Sequence, residues 1–222
     1  MEIHASALFV HNTASELISK NDWLQSDAPL LWIGTAPEGM IWRVREDVPA
    51  TTKSQLETLI AQEPKFAEGP LPVNDKLYRD LLNAPLTSAG PTYWLPDIVS
   101  KSLHSTCRLS ELHTKELERG QLADWIPDIP HQQPMIGSLE SEGVVSICAS
   151  VRIVPEAHEA GVETAATHRG KGYATSVVNG WASELIRLNI IPLYSTSWNN
   201  HASQAVAART GFRRYGWEYA VG

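Results

Sequence analysis

Met40, Trp42 and Val44 alternate with Ile41, Arg43 and Arg45, and an apolar run from Leu30 precedes the turn Pro37-Glu38-Gly39. Side chains on a strand point to opposite faces in turn, so this pattern predicts a β-hairpin over residues 30–45. The period then lengthens. Leu56, Leu59 and Ile60 fall on one face of a helix that Thr51 or Thr52 could cap, and Leu77, Tyr78, Leu81 and Leu82 mark a second helix. Six of the fourteen prolines lie between Pro64 and Pro96, which predicts interrupted regular structure and a domain boundary near residues 85–90.

Beyond that boundary residues 109–117 read as helix, and residues 135–139 and 144–153 as strands joined by the hairpin connection Glu140-Ser141-Glu142-Gly143. A loop through Pro155 leads to a short strand over residues 161–165 and then to the glycine-rich turn Arg169-Gly170-Lys171-Gly172-Tyr173-Ala174. Val177, Val178, Trp181, Leu185 and Ile186 recur at helical steps, and a helix with such a stripe must pack on a sheet. Asn189 and Pro192 end it, and a strand resumes over residues 191–197. A helix over residues 201–210 stops at Gly211, which suits the left-handed position past a helix end. Residues 212–221 form a final aromatic-rich strand.

Composition narrows the class. With 222 residues, 43% hydrophobic and 19% charged, and with eight Trp, the chain can bury a core and is not of the disordered kind. A formal net charge of -7 without a basic stripe argues against a nucleic-acid partner. Met1-Glu2-Ile3-His4 lacks a leader pattern and no run of about 18 apolar residues occurs, so the expectation is a cytoplasmic protein with no membrane partner. Cys107 and Cys148 are too few for a disulfide framework, and Cys148, inside an apolar run, reads as a buried, inert thiol. His158-Glu159 has no second His at helical spacing, and no metal is expected.

The glycine turn carries the chemistry. Glycines let the backbone approach an anion, successive N–H groups converge on it, and a following helix adds its positive end. A Gly-x-Gly turn is also a common packing connection, so by itself it leaves function open. A dinucleotide fold needs a glycine where Thr175 stands and an acidic residue where Ser195, Thr196 and Ser197 stand. A nucleoside triphosphate loop needs a glycine at Ala165 and a hydroxyl residue after Lys171. Both readings fail.

Arg169-x-x-Gly172-x-Ala174, between a strand and a helix, resembles the acyl-CoA pyrophosphate loop of the GNAT superfamily of N-acetyltransferases, and Asn200, Ser203, Ala207 and Gly211-Phe212 resemble that family's next strand-helix unit. The resemblance runs from about residue 90 to the C-terminus. It implies a GNAT domain over residues 89–222, with residues 1–88 as a smaller N-terminal α/β region of unassigned function that helps form the acceptor site. The implied fold is α+β: a mixed, mostly antiparallel sheet whose central parallel strands splay apart, flanked by helices. The implied co-substrate is acetyl-CoA. Its diphosphate would sit on backbone N–H groups of Arg169, Gly170, Lys171, Gly172, Tyr173 and Ala174, with charge from the Arg169 and Lys171 side chains. Its pantetheine arm would pair with the strand of Val162 and Thr164, and Asn200 would touch the cofactor, fix the splayed strand end or simply cap its helix.

The implied reaction is direct attack of a small-molecule or peptide amine on the thioester. Proximity alone contributes roughly 7 to 11 kcal/mol, and a positioned acid or base about 100- to 10,000-fold. A backbone N–H near Val162 or Glu163 would polarise the carbonyl. Glu163 is the candidate base, with an exposed strand residue or an ion pair as its structural alternatives. The family's frequent general acid is a Tyr four residues before the closing Gly-Phe, and here that place is Ala207. Thiolate protonation then falls to Ser203, Tyr194, Tyr215 or solvent, with Ser203 one helical turn before position 207. This departure keeps open a non-catalytic acyl-CoA-binding sensor or interaction module, and a Trp-rich interaction protein without cofactor is a third reading. The acidic balance favours approach of a cationic amine, and exposed strand edges allow a homodimer.

Overall fold

The computed structural model describes residues 1–64, 70–96 and 102–222. In chain order the elements are α1 (Glu2–Leu8), β1 (Phe9–His11), β2 (Leu17–Lys20), β3 (Leu31–Ala36), β4 (Gly39–Val44), α2 (Ala50–Ile60), α3 (Asp75–Leu82) and β5 (Leu86–Trp94). Then follow β6 (Cys107–Arg108), α4 (Thr114–Arg119), β7 (Met135–Glu140), β8 (Gly143–Val154), β9 (Ala157–Thr164), α5 (Tyr173–Arg187), β10 (Ile191–Ser195), α6 (His201–Thr210) and β11 (Arg213–Val221). Short 3-10 turns occupy Glu111–His113, Ala123–Trp125 and Ala166–His168. The chain divides into two compact units, one of Met1–Tyr93, Ser195–His201 and Arg214–Gly222, the other of Trp94–Tyr194 and Ala202–Arg213.

In the first unit the strands run in the order β4, β3, β11, β5. The hairpin forms as its alternation predicts, with antiparallel pairing from Leu31↔Val44 to Ala36↔Gly39 around Pro37-Glu38. Met40, Trp42 and Val44 pack with Leu31, Ile33, Leu56, Ile60, Tyr78 and Trp217, while Ile41 packs on the opposite face with Phe9, Leu17 and Trp32. Helix α2 starts at Ala50 behind Pro49 and has no side-chain cap, so neither Thr51 nor Thr52 serves as one. Proline already supplies a fixed φ where a helix start does not need its N–H. On α3 Tyr78 is fully buried, but Leu77 faces solvent.

Within the proline-rich stretch β5 runs straight through Gly90 and Pro91. The carbonyls of Ala89 and Pro91 accept the N–H groups of Trp198 and Thr196, at 3.1 and 3.4 Å, so a proline serves as acceptor without needing a donor. Gly90 permits this approach, since a Cβ there would lie 1.7 Å from the Thr196 carbonyl oxygen.

In the second unit the order is β10, β9, β8, β7, β6. All neighbours pair antiparallel except β9 with β10, which are parallel. The Ser141-Glu142 hairpin closes with Glu140↔Gly143, and Gly143 takes φ +119°. Strand β8 continues to Val154 and folds back at once through Val154↔Ala157, so β9 starts at Ala157 and not at residue 161. Residues 109–117 are not one helix. A 3-10 turn begins after Ser110, whose N–H donates to His113 Nδ1 at 3.1 Å, and α4 starts only at Thr114. Strand β10 stops at Ser195 rather than at residue 197, and β11 opens at Arg213.

On one face of these strands Ile147 and Ala149 of β8 are buried in a cluster with Leu117 of α4 and with Leu109, Leu122 and Ile129 of the connecting segments. Helix α5 packs on β7, β8 and β9 through Val177, Val178, Trp181 and Leu185, all fully buried, and the Trp181 indole donates to Ser150 Oγ at 2.9 Å. Burying each such side chain contributes about 1.5 to 3 kcal/mol, so tertiary packing rather than propensity holds α5 in place. Cys148 is buried as expected, and burial pushes its thiol well up. Among the described residues no helix is long and apolar enough to cross a membrane.

Candidate active site

The parallel strands β9 and β10 pair only at Ile191↔Ala157, Pro192↔His158 and Leu193↔Glu159. Strand β9 runs on to Thr164, so the two strands part after Glu159 and Leu193. Strands that separate leave main-chain donors and acceptors that an extended polar chain can pair with. Val162 and Thr164 lie on this stretch, their other side held by Cys148 and Ser146 of β8. The Thr164 and Ser146 hydroxyls also share a hydrogen bond of 2.7 Å.

Past Thr164 the chain makes the turn that feeds α5. Gly170 and Gly172 take φ of +74° and +91°, backbone that favours glycine, and Gly172 is the cap residue of a helix with no side-chain cap. The first N–H groups of α5 therefore point out of the turn together with the positive end of the helix, the arrangement that suits an anion. A Cβ at Gly170 would meet nothing within 4 Å, so the approach to the turn there is open. The exposed Arg169 donates from Nε to the Thr164 carbonyl at 3.1 Å, tying the turn to the end of β9, and Lys171 is exposed beside it. Tyr173 points inward: its hydroxyl donates to Glu140 at 2.5 Å, a bond that raises its pKa, so only its backbone faces the turn.

The acid-base candidates are placed as follows. Glu163 is exposed on β9 and accepts the Trp125 indole N–H at 2.6 Å. Glu159 lies on the same face of β9 by alternation, is 4% exposed, and stands where the pairing with β10 ends. In the sequence Glu159 falls in the loop expected through Pro155, and only the pairing of β9 with β8 puts it on a strand. Tyr194, the residue after Leu193, is buried, and its hydroxyl lies 2.7 Å from Ser203 Oγ on the first turn of α6. Two of the candidates for thiolate protonation are thus brought together. Tyr215 instead shares a 2.6 Å hydrogen bond with the buried His4. Ala207 is fully buried and offers no hydroxyl. Asn200 is exposed just before α6, its N–H donating to the Ser197 carbonyl at 3.1 Å. No group of three or more His, Cys, Asp or Glu among the described residues is placed to hold a metal ion.

Parallel strands that part above a glycine turn capping a helix define the GNAT fold class, within an α+β chain of mostly antiparallel strands. Residues 136–221 match the family model of the GNAT acetyltransferase. No protein of curated function matches it. Solved structures with this fold include a GCN5-related N-acetyltransferase-like protein from Streptococcus suis, at 12% identity and TM-score 0.52, covering 88% of this chain and 85% of that one. A GCN5-related N-acetyltransferase from Sphaerobacter thermophilus, at 10% identity and TM-score 0.52, covers 82% and 71%. A GNAT-family acetyltransferase from Colwellia psychrerythraea, at 15% identity and TM-score 0.50, covers 86% and 81%. At such identities these structures bear on the fold alone.

Proposed function

We propose that this chain transfers an acyl group, acetyl by default, from a coenzyme A thioester to the amine of a small molecule or peptide, in the cytoplasm. The observation that carries this reading is the end of β9–β10 pairing at Glu159↔Leu193, which opens next to the glycine turn Arg169–Gly172–Ala174. In this reading the turn N–H groups and the Lys171 side chain hold the diphosphate, and the freed edge of β9 at Val162 and Thr164 aligns the pantetheine arm. Holding amine and thioester together supplies about 7 to 11 kcal/mol.

Three proton transfers are needed: the acceptor nitrogen loses one before it attacks and a second once it is bonded to the carbonyl carbon, which restores the Tyr194 hydroxyl, and the sulfur gains one as its bond to that carbon breaks. Glu163 takes the first directly or through water, with Glu159 as the second carboxylate on the same face of β9. The departing thiolate gains one, and Tyr194 gives it, backed by the Ser203 hydroxyl 2.7 Å away. Each positioned group is worth about 100- to 10,000-fold.

Amine-dependent release of free thiol from acetyl-CoA, measured over a panel of small amines and N-terminal peptides, tests this. Release above the hydrolysis background with at least one amine supports the reading. Ala207 favours a second reading, a non-catalytic acyl-CoA-binding sensor, which predicts tight cofactor binding with no release for any amine.

A further inference from the structure

The stretch Ser102–Thr106 has no role in the reading above, yet it is fastened across the first turns of α5. The N–H groups of Leu103 and His104 both donate to Ser176 Oγ, at 3.2 and 3.1 Å, and Ser176 is fully buried. Gly180, one turn along, lets the chain lie close, since a Cβ there would sit 2.9 Å from Thr106 Oγ1. The backbone at His104 is thus fixed against the helix.

Its ring is fixed as well. The imidazole stacks on Tyr173 with centroids 3.8 Å apart and planes 20° from parallel, and Nε2 lies 2.9 Å from the Lys171 carbonyl oxygen. A carbonyl only accepts, so Nε2 carries the hydrogen, and Nδ1 is an acceptor in the neutral ring and a donor in the protonated one. The ring also borders the turn: a Cβ on Gly172 would lie 3.7 Å from His104 Nε2.

We infer that His104 is a cofactor-binding residue, presenting its imidazole to the phosphate groups of coenzyme A at the glycine turn. This rests on the function proposed above. Among the described residues the ring meets Tyr173 on α5 and the Lys171 carbonyl; on Tyr173 in turn lie the His168 ring, edge-on, and Glu140 of the β7–β8 hairpin, with Glu142 beside His168 and Arg169 on the turn. Glu140 already accepts from Tyr173, and Glu142 lies 2.9 Å from His168 Nε2, so both carboxylates are engaged by groups other than His104. A phosphate arriving at the turn favours the protonated ring, and by linkage the cofactor binds more tightly where the ring is protonated. His104 lies outside the family-matched stretch 136–221.

Calorimetric titration of coenzyme A into the full chain at about pH 6 and about pH 8 tests this, with His104→Gln as the variant, since Gln can still donate to the Lys171 carbonyl but cannot be charged. The expected result is binding weakened about fivefold or more at the lower pH, a reduced difference between the two pH values, and, in the unsubstituted chain, a His104 ring whose NMR titration moves to higher pH when cofactor saturates the site. Equal affinities for variant and parent at both pH values, or a ring titration unmoved by cofactor, overturns the inference and leaves the cofactor site standing. Absence of binding by the unsubstituted chain overturns the proposed function and the inference together.

Discussion

The hydroxyls of Tyr194 and Ser203 lie 2.7 Å apart, joining the first residue of β10 beyond its pairing with β9 to the first turn of α6. One turn further along α6 stands the buried Ala207, where a tyrosine hydroxyl would follow from the family pattern. If the pair protonates the thiolate, Tyr194→Phe lowers kcat about 10- to 100-fold with little change in KM for acetyl-CoA. Ser203→Ala has a smaller effect, and the double variant matches Tyr194→Phe, because the two hydroxyls act as a unit. Steady-state kinetics decide this. Full turnover in both single variants assigns the proton to solvent.

The carboxylates of β9 make a separable prediction. Glu163→Gln lowers kcat/KM about 100-fold, and Trp125→Phe, which removes only the indole donor to Glu163, lowers it less. A pH–rate profile of Glu163→Gln superimposable on that of the parent removes Glu163 from the mechanism and leaves the buried Glu159 as the carboxylate to substitute next.

Stability falls on the acid side beginning near pH 6.5. Burial lowers the pKa of His158 from its ordinary 6.5, and burial, with Arg43 next, lowers that of His11. The unfolded chain therefore binds more protons than the folded one between the lowered values and 6.5, so stability is complete above that window and is lost as pH falls through it. Carboxylates with lowered pKa values, such as Asp47 and Asp75, act the same way but only at lower pH. Chemical denaturation at a series of pH values checks this, and His158→Gln flattens part of the slope. A parent stability that stays level between about pH 7 and pH 5 contradicts it.

Two glycines of the turn should respond differently to alanine. Gly170→Ala meets open space, so its cost is the left-handed backbone alone, about 1 to 2 kcal/mol. Gly172→Ala adds a contact of 3.2 Å with Leu103 Cδ1 and costs more. Denaturant midpoints of the two variants give the ordering directly, and equal midpoints would mean that Leu103 moves aside.

Much of this was legible in local pattern. The hairpin around Pro37-Glu38, the hairpin around Ser141-Glu142, the buried stripe of α5 and the left-handed Gly211 at φ +90° each depend on neighbours within a few residues. The departures arise where distant chain decides. Gly90-Pro91 reads as a breaker because the segment around Thr196 that accommodates it is about a hundred residues away. The place of Glu159 is not local either, because the length of β9 is set by its pairing with the far end of β8, not by its own apolar content. His104 carried no signal at all, since its place beside the turn depends on the hydroxyl of Ser176, 72 residues later. The glycine turn itself was legible, but the Tyr194–Ser203 pair became a single unit only when strand and helix were laid against each other.

The central claim is that the turn between β9 and α5 binds an acyl-CoA, and thermal unfolding with and without acetyl-CoA tests it most directly. At ligand about 100 times its dissociation constant, binding adds about 2.7 kcal/mol, a rise in Tm of roughly 5 to 11 °C for a chain of this size. The account predicts a rise of that order, lost in Gly172→Asp, which places a carboxylate and a strained backbone at the anion site. An unchanged Tm at saturating acetyl-CoA would make the turn a packing device and contradict the account.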